Sequence, residues 1–295
     1  MDNLRGPALM TLAMLGFAAE DMFVKLMAGA LPTWQIIAAL GTGGALVFGV
    51  LTVLRGQRLF TRAFLSRAVL LRNIGELIGT VGFVTAIALT PISSASAVLQ
   101  ATPLAVTLGA ALFLGEPVGW RRWSAILAGF AGVLLVIRPG LEGFDINALF
   151  AVQGVIGLAI RDLSTRRVDR GVSSYQLSFL AFLTLIPAAA VLSLVSPRAP
   201  VLPDGYLWSM MAGAVVLGTL SYYAIVGAMR IGEVSIVTPF RYFRLLFALV
   251  VGFFVFSERP DALTLLGAAV IVGSGIYTVL RERAVWRERK HRPAA

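Results

Sequence analysis

The residues able to do chemistry in this sequence are the charged ones buried in long apolar runs. Arg241 and Arg244 lie in the apolar stretch 233–256. At ~1.5 Å of rise per residue, Arg244 falls near the middle of a bilayer crossing and cannot easily reach either surface. Ser235, Thr238, Arg241 and Arg244 follow one another at three-residue steps, which keeps them on one side of a helix. Pro239 removes the intrahelical donor that would serve the Ser235 carbonyl. Guanidinium groups grip carboxylate or phosphate in a forked geometry. One reading is therefore an anionic group of a small solute held by Arg244 or Arg241, with Thr238 and Tyr242 beside them. The other is an interhelical ion pair with Glu76, Glu20 or Asp21.

Further polar residues fall in other apolar runs. Arg72, Asn73 and Glu76 share one, and Glu76 reads either as a proton-coupling carboxyl or as the counter-ion of Arg72 or Arg241. Glu20, Asp21 and Lys25 share another, with Asp21 and Lys25 spaced for an i,i+4 pair. Arg161, Asp162 and Arg166 repeat that pattern. Together with Arg72, the carboxylates Glu20, Asp21 and Asp162 read as gating or coupling groups, or as end-of-helix neutralisation. Ser93, Ser96, Gln100 and Thr107 form a stripe on the face that carries Pro103, and Gln100 is the member expected to contact a solute. Tyr222 and Tyr223 are placed to stack on a ring or to pack, and Trp34 reads as an interfacial anchor.

The elements that must position these residues are helices. The 295-residue chain is 58% apolar and 14% charged, and its mean hydropathy is +0.86. Soluble domains carry about 25% charged residues. Ten apolar runs stand between Gly, Pro and charged punctuation: 7–28, 33–54, 68–90, 92–114, 118–137, 146–164, 175–196, 205–228, 233–256 and 261–280. The expected fold is all-α and polytopic in a membrane. There is no cysteine, and the single histidine, His291, lies in the terminal tail. Thiolate nucleophiles, zinc clusters and Ser-His machinery are excluded, so the chain does not read as an enzyme and no metal or cofactor is expected. No Gly-x-x-x-x-Gly-Lys-Ser/Thr loop is present for ATP. The net charge of +10 is assigned to membrane-flanking loops rather than to nucleic-acid binding.

Counting Lys and Arg on alternate sides with the N-terminus inside puts seventeen on the inner side and three (Arg138, Arg198 and Arg259) on the outer. Both termini are thus expected in the cytoplasm. The basic tail 281–295 reads as a retention signal or as a helix lying on anionic lipid. The polar residues also repeat. Gly16, Asp21 and Lys25 are spaced as Gly157, Asp162 and Arg166, Glu116-Pro117 matches Glu258-Arg259-Pro260, and Gly79-Thr80 matches Gly218-Thr219. Two five-helix halves, 7–137 and 146–280, follow. An odd number of crossings in each makes them inverted, an arrangement characteristic of secondary transporters. Gly75 and Gly79 form a small-xxx-small pair suited to packing within the bundle or to dimerisation.

Pro103 followed by twelve mostly apolar residues and Glu116-Pro117, together with Val237-Thr238-Pro239-Phe240-Arg241-Tyr242 and Ser257-Glu258-Arg259-Pro260, carry a resemblance. Over residues 7–280 the sequence resembles the drug/metabolite transporter superfamily, and within it the two-copy EamA-type carriers. That resemblance implies a secondary transporter of a small organic metabolite in the cell's inner membrane, working by alternating access. The leading expectation is an amino-acid-like exporter whose substrate carries an anionic group. An importer of a vitamin or nucleoside-like metabolite is the alternative, and an integral-membrane transferase is a third, disfavoured reading. The partners implied are the small-molecule substrate and the bilayer, with protons as a coupling ion or plain exchange both open, and monomer and homodimer both open.

Overall fold

The computed structural model describes residues 2–115, 119–138, 144–169, 171–231 and 237–290. Glu116, Pro117, Arg170, Ser235 and His291 lie outside them. The helices in chain order are α1 (Asp2–Ala28), α2 (Thr33–Leu54), α3 (Arg67–Leu89), α4 (Ile92–Leu99), α5 (Thr102–Leu114), α6 (Trp120–Ile137), α7 (Leu149–Thr165), α8 (Ser174–Val195), α9 (Gly205–Ile231), α10 (Phe243–Phe256) and α11 (Ala262–Lys290). Among the described residues seven helical segments are long and apolar enough to cross a membrane, and shorter apolar helices cover 123–137 and 262–278. The protein is an all-α polytopic membrane protein of ten spans, the fourth being α4 with α5.

Sequence chemistry explains where the helices stop. Pro32 and Pro91 stand in extended conformation just before α2 and α4, where a missing N–H is harmless. A capping box opens α8, in which the Ser173 hydroxyl and the Gln176 side chain satisfy each other's backbone donors. Gly115 closes α5 at φ +66° and Ser257 closes α10 at φ +54°, at matching places in the two halves.

Three helical expectations need correction. The run 92–114 is not one helix, because it breaks between Leu99 and Thr102. Pro103 has no N–H to give the Leu99 carbonyl, and the Thr102 hydroxyl takes that acceptor instead at 2.6 Å. The run 233–256 begins, in its described part, as a 3-10 turn at Thr238–Tyr242 before α10. The run 261–280 continues without a stop to Lys290, so the first part of the basic tail is helical.

The most extensive helix pairs are α3 with α7, α1 with α9, α2 with α8, and α6 with α11. Exchanging the first five spans for the second five converts the first pair into the second and leaves each of the others unchanged. Two equivalent halves therefore interlock around a pseudo-twofold axis. Glycine allows the closest approaches. A Cβ on Gly75 would lie 2.5 Å from the Arg161 nitrogen, and one on Gly82 would lie 2.8 Å from the Gly154 nitrogen. Gly75 and Gly79 thus serve packing inside the bundle, α3 against α7. Large apolar side chains such as Leu46, Phe113, Leu194 and Phe254 point outward, as a lipid-facing surface requires.

Side-chain bonds mark the two ends of the bundle. At the end opposite the termini, Arg198 donates to the Ala28 and Gly29 carbonyls that close α1, and the Gln35 amide exchanges two bonds with the Val201 backbone. Arg138 meets Asp261 there as well. At the end that carries the termini, Ser173 donates to the Gln57 side chain and Gln176 to the Arg58 carbonyl.

Candidate functional site

Charged side chains inside the bundle form two groups. In the first, the Arg244 Nε donates to Asp21 Oδ2 at 3.0 Å and its Nη2 to Oδ1 at 2.8 Å. Arg244 therefore makes the ion pair that its sequence position left as one alternative. The guanidinium lies 5.0 Å from the Phe17 ring centroid and 4.9 Å from that of Phe83, so two aromatic faces and a carboxylate enclose it. The i,i+4 pair of Asp21 with Lys25 does not form. Asp21 turns to a guanidinium that fills both its oxygens, and Lys25 bonds elsewhere. Glu20 faces Gly218, where a Cβ would lie 2.6 Å from its Oε1, and it hydrogen-bonds to no described residue.

The second group lies nearer the end that carries the termini. Arg72 is buried and donates to the Asn73 side chain at 3.2 Å, to the Leu177 carbonyl at 3.1 Å and to the Tyr222 hydroxyl oxygen at 3.1 Å. Glu76 stands 3.7 Å from Arg72 and 3.4 Å from Arg161, and accepts from Thr80. Its cations are thus Arg72 and Arg161 rather than Arg241. Arg161 also pairs with Asp162 at 2.8 Å. Tyr222 packs its ring edge-on against Phe48 and Phe182, so its hydroxyl is aimed by an aromatic cluster. Tyr223 stays half exposed beside Tyr175.

Arg241 differs from its neighbours. It is half-buried in the 3-10 turn between α9 and α10, and its guanidinium makes no hydrogen bond or ion pair with any described residue. Asp162 attracts it electrostatically, while Arg161 and Arg244 repel it. The Gln100 amide donates to the Arg241 carbonyl at 3.1 Å, so the α4–α5 break holds this turn through its backbone. The Tyr242 hydroxyl is buried and hydrogen-bonds to no described residue, and a Cβ at Gly275 would collide with it. Thr238 begins the same turn.

The structure brings Glu76, Arg72, Asp162 and Tyr222 into one network and joins Gln100 to Arg241. Asp21 and Arg244 form a separate pair beside Glu20. Trp34 opens α2 with its indole N–H buried and bonded to no described residue. Sequence reasoning placed Arg161 in the repeat with Asp162 but did not assign it as the link between Glu76 and Asp162, and it did not foresee the Lys25–Glu258 contact. A signal for both existed, since Arg161 stands at the repeat position of Glu20, and Glu258 at that of Glu116.

A polytopic helical bundle with two interlocked halves and a charged interior defines a membrane carrier. The EamA-like transporter family matches this chain twice, at residues 4–138 and 146–280, and the chain belongs to that family. It is a secondary transporter of small metabolites, and not an enzyme. Among curated relatives, the S-adenosylmethionine uptake transporter of Rickettsia felis is 25% identical over 75% of this chain and 74% of its own. The riboflavin transporter of Vibrio cholerae is 30% identical over 68% and 65%. The pseudopaline exporter CntI of Pseudomonas aeruginosa is 28% identical over 90% and 93%. A crystal structure with 21% identity superposes with a TM-score of 0.58, covering 92% of this chain and 98% of the other, which shows the fold.

Proposed function

We propose that the chain exports an amino-acid-like metabolite, holding the substrate carboxylate at Arg241 and its ammonium group at Glu20. The observation that carries this reading is the Arg241 guanidinium, which makes no hydrogen bond or ion pair with any described residue. Among the described residues at the termini-bearing end, Glu76 and Asp162 answer Arg72 and Arg161, which leaves Arg241 as a further positive charge. Inside a membrane an unpaired guanidinium costs from ~2.5 kcal/mol upward, and an anionic substrate group removes that cost. Glu20 is the complementary case, a carboxylate whose neighbour Asp21 is already taken by Arg244. Arg244, Tyr242, Thr238, Gln100 and Tyr222 line or orient the site, and Arg72, Glu76, Asp21 and Asp162 set its field.

The two halves, 7–137 and 146–280, rock about the pseudo-twofold axis and expose the site to each side in turn. In this reading both termini and the basic tail from 281 face the cytoplasm in the inner membrane, an orientation the Lys/Arg distribution supports. The likeness over nine-tenths of the chain to a pseudopaline exporter supports the direction. A second reading is uptake of a nucleoside-like or vitamin substrate, favoured by the S-adenosylmethionine and riboflavin relatives.

Purified protein in vesicles, loaded with a panel of amino-acid-like compounds, tests both readings. Arg241→Ala is expected to abolish efflux of carboxylates while leaving the fold intact. Flux of riboflavin or a nucleoside that ignores Arg241→Ala would overturn the first reading and support the second.

A further inference from the structure

One contact away from the charged centre joins both halves at the end opposite the termini. Glu258, just after α10, accepts the Ile92 N–H at 2.7 Å through Oε1. Its Oε2 accepts the Ser93 N–H at 3.1 Å and the Ser93 hydroxyl at 2.7 Å. Lys25 of α1 stands 3.6 Å from Glu258 Oε1 and donates to the carbonyls of Thr90 at 2.5 Å and Ile87 at 3.4 Å. The lysine therefore sits on the carbonyl end of α3 and the glutamate on the amide end of α4, each sign matching the helix dipole it meets.

The carboxylate is also held from behind. The left-handed Ser257 turns the chain so that the Glu258 N–H bonds the Gly252 carbonyl at 2.8 Å. A Cβ at Gly252 would lie 2.7 Å from Glu258 Oε2. Glu258 is thus aimed at α4 by its own turn.

The second half holds α4 at both of its ends. Glu258 grips its first turn, and beyond its last residue Gln100 bonds the Arg241 carbonyl. The break at Gln100–Ala101 separates this short helix from α5, so α4 can tilt as one piece. Its tip combines the buried Ile92, packed near Gly252, with these polar bonds at the bundle end, and it is the polar bonds that water can replace when the tip opens.

We propose that Lys25, Ser93 and Glu258 form a latch that closes the α4 tip over the outer end of the pathway and must release in each transport cycle. They are positioning residues for translocation, acting through α4 on the Arg241 turn. This rests on the alternating-access reading above.

The chain has no cysteine, so Ser96→Cys on α4 gives a single reporter thiol at a site that is 1% exposed and whose hydroxyl bonds no described residue. In intact cells, a membrane-impermeant maleimide added outside is expected to react slowly with Ser96→Cys alone. Adding Glu258→Gln or Lys25→Met raises the rate about tenfold or more, the order expected when charge-assisted bonds are lost. Ser93→Ala gives a smaller rise, and Lys25→Arg restores the slow rate. Melting temperatures in detergent confirm that each variant is folded. Folded variants whose thiol reacts as slowly as the parent overturn the latch. A thiol that never reacts in any background, including after addition of a transported substrate, overturns alternating access with it.

Discussion

Asp21 and Arg244, 223 residues apart in the chain, form a two-armed ion pair that ties α1 to α10 between the rings of Phe17 and Phe83. Removing one partner leaves a buried charge without an answer. Arg244→Ala and Asp21→Asn are each expected to destabilise the protein by about 3–5 kcal/mol, read from unfolding in detergent. The double variant should lose clearly less than the sum, because the second change removes the stranded charge. Additive losses would mean that the two side chains do not interact in the membrane.

Arg241 should behave in the opposite way. Its guanidinium bonds no described residue, so Arg241→Ala is expected to leave the melting temperature unchanged or slightly raised. Substrate affinity should fall by about ten- to a hundredfold, the worth of one to two charge-assisted hydrogen bonds. Arg241→Lys keeps the charge but not the fork, and should recover only part of the loss. Equilibrium binding and thermal melting on the same samples separate the two effects.

Much of this arrangement is legible before any coordinates. Apolar run lengths place ten spans, and the offsets linking Asp21 to Asp162 and Glu116 to Glu258 disclose two halves, because both signals are written along the chain. Partner choice is not written there. Asp21 has a lysine four residues away on its own helix, yet it pairs with Arg244, because packing brings a guanidinium that fills both carboxylate oxygens. Glu76 likewise meets Arg161 only because Gly75 and Gly79 let α7 approach so closely. The break after Leu99 was also hidden, since Pro103 alone does not say whether a helix kinks or restarts.

The α3–α7 seam gives a packing prediction. A Cβ on Gly157 would collide with the Gly79 backbone, and one on Gly79 would lie 2.9 Å from the Leu158 nitrogen. Backbone cannot move aside as a flexible side chain can, so Gly157→Ala is expected to cost about 1–3 kcal/mol or more. It should also displace Arg161 from Glu76. Gly29→Ala, where a Cβ meets nothing within 4 Å, is the matched control. Equal melting temperatures for the two variants would refute the close seam.

Arg138 and Asp261 supply a prediction about acid. The Arg138 guanidinium, hydrogen-bonded to the Asp261 carboxylate, holds that carboxyl well below the usual aspartate range, and the Thr264 N–H adds to the effect. The ionised form is therefore favoured more in the folded protein than in the unfolded chain. The resulting stability is fully present above the ordinary aspartate value and is lost as the pH falls toward the lower folded value. Wild type should melt above Asp261→Asn near neutral pH, and the gap should close in strong acid. Because Asp261 is about half exposed, with a side-chain exposure of 53%, the gap should be small and should shrink in high salt. A gap that widens in acid would mean that the carboxyl is favoured in its protonated form, and that Arg138 does not hold it.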